Sequence, residues 1–327
     1  MSATLHIFTG AGPALGTGHL RRMRTLHGLL EPSGAPAPAF ARIHLHARTD
    51  ITDAQTAATE LLGELGSRPT ASGDVILLDL RDVDPNPFRA HGPVLALDNR
   101  HPLRDRSSAH AGIAFHDTLP HPLAALEDGL ARMLIAPELI TARDERNATR
   151  GEGTRADAGS DDIFAYSGSA SDVSDLDAFL LRIARANPGT RVLRVGTVAP
   201  ERSTGAAPVP GNFQWVDRLT PQESAVELLR ARTVLAYFGM TFFEAWFVGA
   251  VPILFSIASD VHDTLSRDFA RRSGAAFVES GGRLGFSELE RRLNEDPRGL
   301  LPRVPPPDGR GYARLVAALH DLAQATD

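Results

Sequence analysis

The chain has 327 residues, enough for two domains at roughly 100–200 residues each. With 43% hydrophobic and 23% charged residues it has the balance of a globular protein rather than a disordered one, and its lack of cysteine excludes disulfides, thiolate catalysis and Cys-type zinc sites. A formal net charge of -6 argues against broad electrostatic binding to nucleic acid or an anionic membrane, while leaving room for a small anionic ligand held by helix ends and a few arginines.

Short β-rich runs alternate with helical patterns along the whole chain, the signature of parallel sheets covered by helices. In the first half the predicted strands are Leu5–Phe8, Arg42–His46, Val75–Asp79, Val94–Asp98 and Gly112–Phe115. The first strand runs into Gly12-Pro-Ala-Leu-Gly16-Thr17-Gly18-His19, and a helix follows with Leu20, Met23, Leu26 and Leu30 on one stripe. Glycines at such a strand-to-helix turn let the backbone approach a ligand, and the helix start offers free N–H groups. His19 then stands at the carboxyl end of the sheet, where open α/β sheets bind ligands and where an imidazole can take a proton from water. The bland alternative is a tight turn followed by a solvated histidine.

A second helix is expected over residues 53–65. Two apolar strands then end in carboxylates, Asp79 and Asp98, at the same edge as His19. Either could orient His19 or bind sugar hydroxyls; the alternative is that each caps the loop that follows it. Ten of the 12 histidines precede residue 122, and His44 and His46 share a strand face. No carboxylate has metal-ligand spacing to them, so a His-rich surface is expected and no metal site is assigned.

Between about Ala142 and Ser160 the apolar period stops, and residues 146–160 read as a linker between a first domain at 1–145 and a second at 161–327. Alternation restarts with strands at Ile163–Tyr166, Val192–Val195, Phe213–Val216, Val234–Tyr237, Val251–Phe255 and Ala275–Val278. The helix at Pro221–Arg230 announces its start with Thr220, Pro221 and Glu223. The first strand of this half ends in Tyr166-Ser-Gly168-Ser169, a small-residue loop. Further on, Gly239-Met240-Thr241 opens a short helix that could seat a diphosphate, with Glu244 one turn in to accept bonds from ribose hydroxyls. The alternative for this segment is a hydrophobic core helix carrying one exposed glutamate. Pro302–Pro307 reads as an extended crossing segment, and the amphipathic helix around Tyr312–Leu322 as the closing element, possible in this architecture as a return to the first domain.

Taken together, these segments resemble the PseG/SpsG family, the UDP-sugar hydrolase of pseudaminic acid synthesis and its relatives in surface polysaccharide synthesis, with the MurG-like glycosyltransferases more distant. Gly16-Thr17-Gly18-His19-Leu-Arg-Arg22 looks like its G-x-G-H-x-x-R element, Gly168-Ser169 like its glycine-rich loop, and Gly239-Met240-Thr241-Phe-Phe-Glu244 with Gly249-Ala-Val-Pro252 like its G-G-S-T-x-x-E…G-x-P signature. The resemblance implies a GT-B fold of two Rossmann-like parallel-sheet domains facing a cleft, with UDP held by the second domain and the sugar facing the glycine loop of the first. Gly16, Thr17, Gly18 and Arg22 on one side, and Gly168, Ser169, Gly239, Met240, Thr241, Glu244, Asp260 and His262 on the other, are then expected to contact the substrate. It further implies His19 as general base, activating water or an acceptor hydroxyl for attack at the anomeric carbon, with no metal and no cofactor. Three positions depart from the family: Phe238-Gly239 replaces paired glycines, Asp79-Leu-Arg81 replaces Asp-x-Tyr, and Ser259-Asp260-Val-His262 replaces an Asn-Gln pair that positions sugar or water. Those departures point to a divergent relative and sustain an alternative, a non-catalytic nucleotide-sugar-binding or scaffold protein of polysaccharide assembly. The N-terminus lacks the basic segment of a secretory signal, and no stretch reaches about 18 uninterrupted apolar residues, so a cytoplasmic chain without a membrane span is expected.

Overall fold

The computed structural model describes residues 3–12, 18–30, 40–66, 74–104, 112–120, 122, 125–150, 161–168, 170, 173–200, 208–279, 284–295 and 297–325. The chain divides into two compact units, one of Met1–His121, Asp128–Leu134 and Arg310–Asp327, the other of Pro122–Glu127 and Ile135–Gly309.

In the first unit five strands, β1 (Ala3–Gly10), β2 (Phe40–Arg48), β3 (Val75–Asp79), β4 (Val94–Leu97) and β5 (Ile113–His116), form one parallel sheet in the order β2-β1-β3-β4-β5. The central strands β3 and β4 are buried at every residue, as expected of parallel strands covered on both faces, whereas the edge strand β2 is largely open. One face of the sheet packs Phe8, Ile76, Leu78 and Leu80 against Ala57, Ala58, Leu61 and Leu65 of α2 (Ala54–Leu65). That helix starts where Asp53 accepts the Thr56 amide at 2.7 Å. The opposite face carries α1 (Gly18–Leu30) and, from the far end of the chain, α10 (Gly311–Gln324), which buries Leu315 and Leu319. Gly12 is required where it stands: its φ is 148°, and a Cβ there would lie 2.2 Å from the Ile51 amide nitrogen. The short helix α3 (Leu126–Ala131) has its last four residues in this unit and its first two in the other.

The second unit has a six-stranded parallel sheet in the order β11-β10-β9-β6-β7-β8, with β6 (Ile163–Gly168), β7 (Val192–Gly196), β8 (Phe213–Val216), β9 (Thr233–Ala236), β10 (Val251–Phe255) and β11 (Ala276–Val278). Its core joins Leu176, Phe179, Leu180 and Ile183 of α5 (Ser174–Ala186) to Val192, Leu235, Ile253 and Phe255 of the sheet, with Leu289 of α9 (Phe286–Glu295). Elsewhere Phe242, Phe243 and Trp246 of α7 (Met240–Phe247) meet Phe238 and Phe269 edge-on, with Phe269 lying on α8 (Asp260–Ser273). Helix α6 (Pro221–Arg230) carries the expected capping box between Thr220 and Glu223.

The segment read as linker from residue 146 differs in its first part: α4 (Pro137–Arg150) continues through it, and only residues 151–160 fall outside the described set. The helix is sparing in apolar residues because arginines do part of the packing. Arg143 lays its guanidinium 3.8 Å from the Phe247 ring centre, and Arg146 donates to the Leu229 and Val248 carbonyls at 3.0 and 2.9 Å.

Strand order decides where each unit can hold a ligand. In the first sheet the direction of progression reverses between β1 and β3, and in the second between β6 and β9. At such a switch point neighbouring connections leave on opposite faces and open a crevice beyond the strand ends.

Candidate functional site

The switch point of the first unit is occupied by a buried ionic network. His19 is the second residue of α1 and Arg22 lies one turn further, so both project toward Asp79, the last residue of β3. His19 Nδ1 lies 2.8 Å from Asp79 Oδ1; Arg22 Nε donates to Asp79 Oδ2 at 2.9 Å, and its Nη2 also bonds Asp79 Oδ1. Arg22 Nη1 donates to Asp98 Oδ2 and to Thr118 Oγ1, both at 2.6 Å. Asp79 is fully inaccessible, and His19 and Arg22 are buried.

Burial alone would favour a protonated Asp79, but Arg22 and His19 outweigh it and hold its carboxyl well below the usual carboxylate range. Burial likewise opposes the charge on Arg22, and Asp79 and Asp98 reverse that, raising its proton affinity above that of a free guanidinium. Arg22 Nη2 also lies 3.2 Å from His19 Nδ1, but an ionised Asp79 can only accept and its oxygen is closer, at 2.8 Å, so the proton of the His19 bond is assigned to Nδ1. Nε2 is then the basic nitrogen, and it has no hydrogen-bond partner among the described residues.

Asp98 follows β4 with a left-handed φ of 45°, an uncommon conformation outside glycine. The turn brings its carboxylate under the loop after β5: Oδ1 accepts the Thr118 and Leu119 amides at 2.7 and 3.0 Å, and Oδ2 accepts from the Thr118 hydroxyl and Arg22. Burial pushes the Asp98 pKa up, yet Arg22 and Thr118 bring it below the usual value. The carboxylate is thus committed to anchoring Arg22 and a loop. Arg22, read from the motif as a ligand contact, is similarly engaged with Asp79, Asp98 and Thr118. Gly18 opens α1 and is exposed; Gly16 and Thr17 lie outside the described residues. Thr118 gave no signal in the sequence, since the bond that matters joins it to Arg22, 96 positions away.

The switch point of the second unit is built from backbone and rings. Gly168 ends β6 with φ 54°, and a Cβ there would lie 2.8 Å from the Tyr237 hydroxyl. Tyr237 stacks on Tyr166 at 6.0 Å between ring centres and meets His262 edge-on at 5.1 Å. His262 Nδ1, in the first turn of α8, donates to the Phe238 carbonyl at 3.1 Å. Gly239 precedes α7 in an extended conformation with no side chain capping the helix, Met240 and Thr241 being its first residues and partly buried. Glu244 is buried at 2% exposure, so the glutamate of this helix is not a surface residue. Asp260 is exposed at the start of α8; Asp263, unremarked in the sequence, accepts from Ser256 Oγ at 2.6 Å and from the Ile257 amide at 3.3 Å and so pins the loop after β10. Ser169 lies outside the described residues.

Among the described residues, no group of three or more His, Asp or Glu side chains is arranged to hold a metal, and no helix is long and apolar enough to cross a membrane. The histidines of β1 and β2 are less solvated than expected: His6 Nδ1 lies 3.2 Å from His46 Nε2, and His46 stacks on Phe8 at 4.6 Å. Burial, reinforced by the neighbouring His46, lowers the His6 pKa to about 4.

No family model matches the chain, and no curated protein matches it by sequence. Solved structures do match across its whole length. A UDP-N-acetylglucosamine 2-epimerase, described as putative, from Listeria monocytogenes is 12% identical with a TM-score of 0.56, over 100% of this chain and 98% of that one. The UDP-GlcNAc 2-epimerase of Neisseria meningitidis, solved bound to UDP-GlcNAc, is 10% identical with a TM-score of 0.55, over 98% and 100%. Arabidopsis thaliana UGT89C1, solved with UDP, is 13% identical with a TM-score of 0.51, over 98% and 100%. At such identities the likeness speaks for architecture alone: two parallel-sheet α/β domains in sequence, a fold of the GT-B type.

Proposed function

We propose that the chain is an enzyme acting at the anomeric carbon of a nucleotide sugar, UDP-linked by analogy with the ligands of its structural neighbours. The observation that carries this reading is the His19–Asp79–Arg22 network, which assigns the Nδ1 proton and leaves Nε2 as a base. Nε2 would take the proton from water or an acceptor hydroxyl as its oxygen bonds to the anomeric carbon. The bond from that carbon to the diphosphate oxygen breaks, and the nucleoside diphosphate leaves with the electron pair. Asp79 stabilises the resulting imidazolium; Arg22 keeps Asp79 ionised, and Asp98 and Thr118 fix Arg22.

The second unit would carry the nucleotide. Its uncapped α7 start suits a diphosphate, and Gly168, Thr241, Glu244 and the first turn of α8 with Asp260 and His262 border the same strand ends. Hydrolysis and glycosyl transfer share this chemistry and differ only in the nucleophile. Within this reading the PseG-like hydrolase of surface polysaccharide synthesis is the narrower form, and a binding or scaffold protein is the competing one.

The test pairs a calorimetric screen of UDP, GDP, CMP and dTDP with turnover of the matching sugar donors, for the native chain and His19→Asn. We expect one diphosphate to bind selectively, and the substitution to lower turnover by about 10²–10⁴-fold while leaving that binding within a factor of about three. Normal turnover by His19→Asn would refute the base assignment. Binding without any turnover would favour the scaffold reading.

A further inference from the structure

Beside the network stands a cation without a hydrogen-bonded counter-charge among the described residues. Arg81 follows Asp79 by two residues, in the turn after β3, close enough to Asp98 and Arg22 of the network to feel the charge of both. It is partly buried, yet its guanidinium makes no hydrogen bond or ion pair with any described residue. Burial, with Arg100 and Arg22 adding like charge, lowers its proton affinity despite Asp82 and Asp98. Asp98 cannot answer it, since both its oxygens are taken by Thr118, Leu119 and Arg22. The Asp82 carboxylate is engaged too, accepting the Arg100 amide at 2.7 Å.

The loop that presents Arg81 is held rigidly. Asp82 has a left-handed φ of 57°; the buried Asn99 donates to the Val83 carbonyl at 2.7 Å and accepts the His101 amide at 2.8 Å. The loops after β3 and β4 are therefore tied together, and Arg81 and Arg100 project from the tied pair. The Arg100 guanidinium is exposed and also without a partner among the described residues. A half-buried, preorganised guanidinium with a second one nearby, neither hydrogen-bonded to a carboxylate among the described residues, is the arrangement that recognises an oxyanion.

We infer that Arg81, assisted by Arg100, is a specificity residue that binds an oxyanionic substituent, carboxylate or phosphate, on the sugar or acceptor presented to His19. The assignment to a substrate rests on the proposed function; the anion site itself does not.

Arginine side-chain NMR on the full chain tests it, taking the Nε–Hε resonance lost in Arg81→Gln as that of Arg81. Glucuronate, glucose 6-phosphate, inorganic phosphate, glucose and UDP are titrated separately at constant ionic strength. We expect a saturable shift with glucuronate or glucose 6-phosphate and none with glucose. In the variants affinity is read by calorimetry; it should fall at least tenfold in Arg81→Gln, with part of it kept in Arg81→Lys, which preserves charge but not the two-pronged geometry. A response to glucuronate alone identifies a carboxylate, and one to glucose 6-phosphate and inorganic phosphate alone a phosphate. No shift with any sugar anion overturns the inference, as does a shift with UDP only, which would give Arg81 to the nucleotide. Binding of UDP is read independently by calorimetry: its absence beside an intact sugar-anion response would overturn the nucleotide-sugar reading and leave the anion site standing.

Discussion

The Asp79–Arg22 pair of the first unit and the Asp177–Arg194 pair of the second are both buried, and the two behave oppositely. Asp79 takes two nitrogens of Arg22 together with the His19 ring, and its proton affinity falls despite complete burial. Asp177, on α5, takes a single bond from Arg194 Nε at 2.9 Å; Nη1 of that arginine turns instead to the Val198 carbonyl at 2.6 Å, and its buried Nη2 has no hydrogen bond. There burial prevails over Arg194, and the pKa of Asp177 rises. The difference shows that an ion pair holds its charges only when its geometry returns more than desolvation removes. The first pair is equipped to stay charged beside His19; the second behaves as packing that happens to be polar.

The comparison can be broken most forcefully at Asp79. Replacing it with Asn leaves Arg22 buried without its main counter-charge and frees His19 to adopt the other tautomer. We expect a loss of about 3–5 kcal/mol in chemical denaturation and a loss of turnover comparable with that of His19→Asn. A stability change under about 1 kcal/mol would mean that Arg22 is satisfied without Asp79.

A smaller effect is expected at Gly168. Alanine there must hold φ near 54° and press on Tyr237, which we expect to destabilise the second unit by about 1–3 kcal/mol and to weaken nucleotide binding while sparing the first unit. Hydrogen exchange resolved along the chain separates the two units, for which a single unfolding free energy is not defined.

The smallest change is expected from Asp177→Asn, about 1 kcal/mol at neutral pH, because Asn still accepts the Arg194 bond. Its pH dependence sharpens the contrast. Asp79 has a lowered folded pKa, so its stabilisation is present above the unfolded carboxylate value near 3.9 and is lost as pH falls below it. Asp177 has a raised one, so its contribution is present at low pH and is lost as pH rises through the folded value. Opposite pH slopes for Asp79→Asn and Asp177→Asn, each relative to the native chain, are the expected result; parallel slopes would erase the distinction.

Much of this was readable in the residues. Among the described residues the eleven predicted strands are present within about two residues of their expected ends, because buried parallel strands are continuous apolar segments bounded by glycine or acids; the open edge strand β2 is instead a mixed apolar and polar run. The meeting of His19 and Asp79 could be anticipated from strand ends alone. What pattern could not supply was engagement: Arg22 and Asp98 looked like ligand contacts, and only contacts with a distant loop reveal how they are tied to each other and to Thr118. The helix through residue 150 escaped notice for a related reason, since its packing uses arginine stems and guanidinium faces that a hydrophobic count does not register.

The reversal of strand order carries a further consequence. Because each sheet concentrates its candidate chemistry around an interior pair of strands, β1 with β3 and β6 with β9, the edge strands β2 and β8 supply none of the residues of the His19–Asp79–Arg22 network or of the Gly168–Tyr237–His262 cluster. Drift, insertion or wholesale redecoration of β2 or β8 should leave the reactive geometry intact, so this molecule can acquire new surfaces at its margins while its interior chemistry stands still.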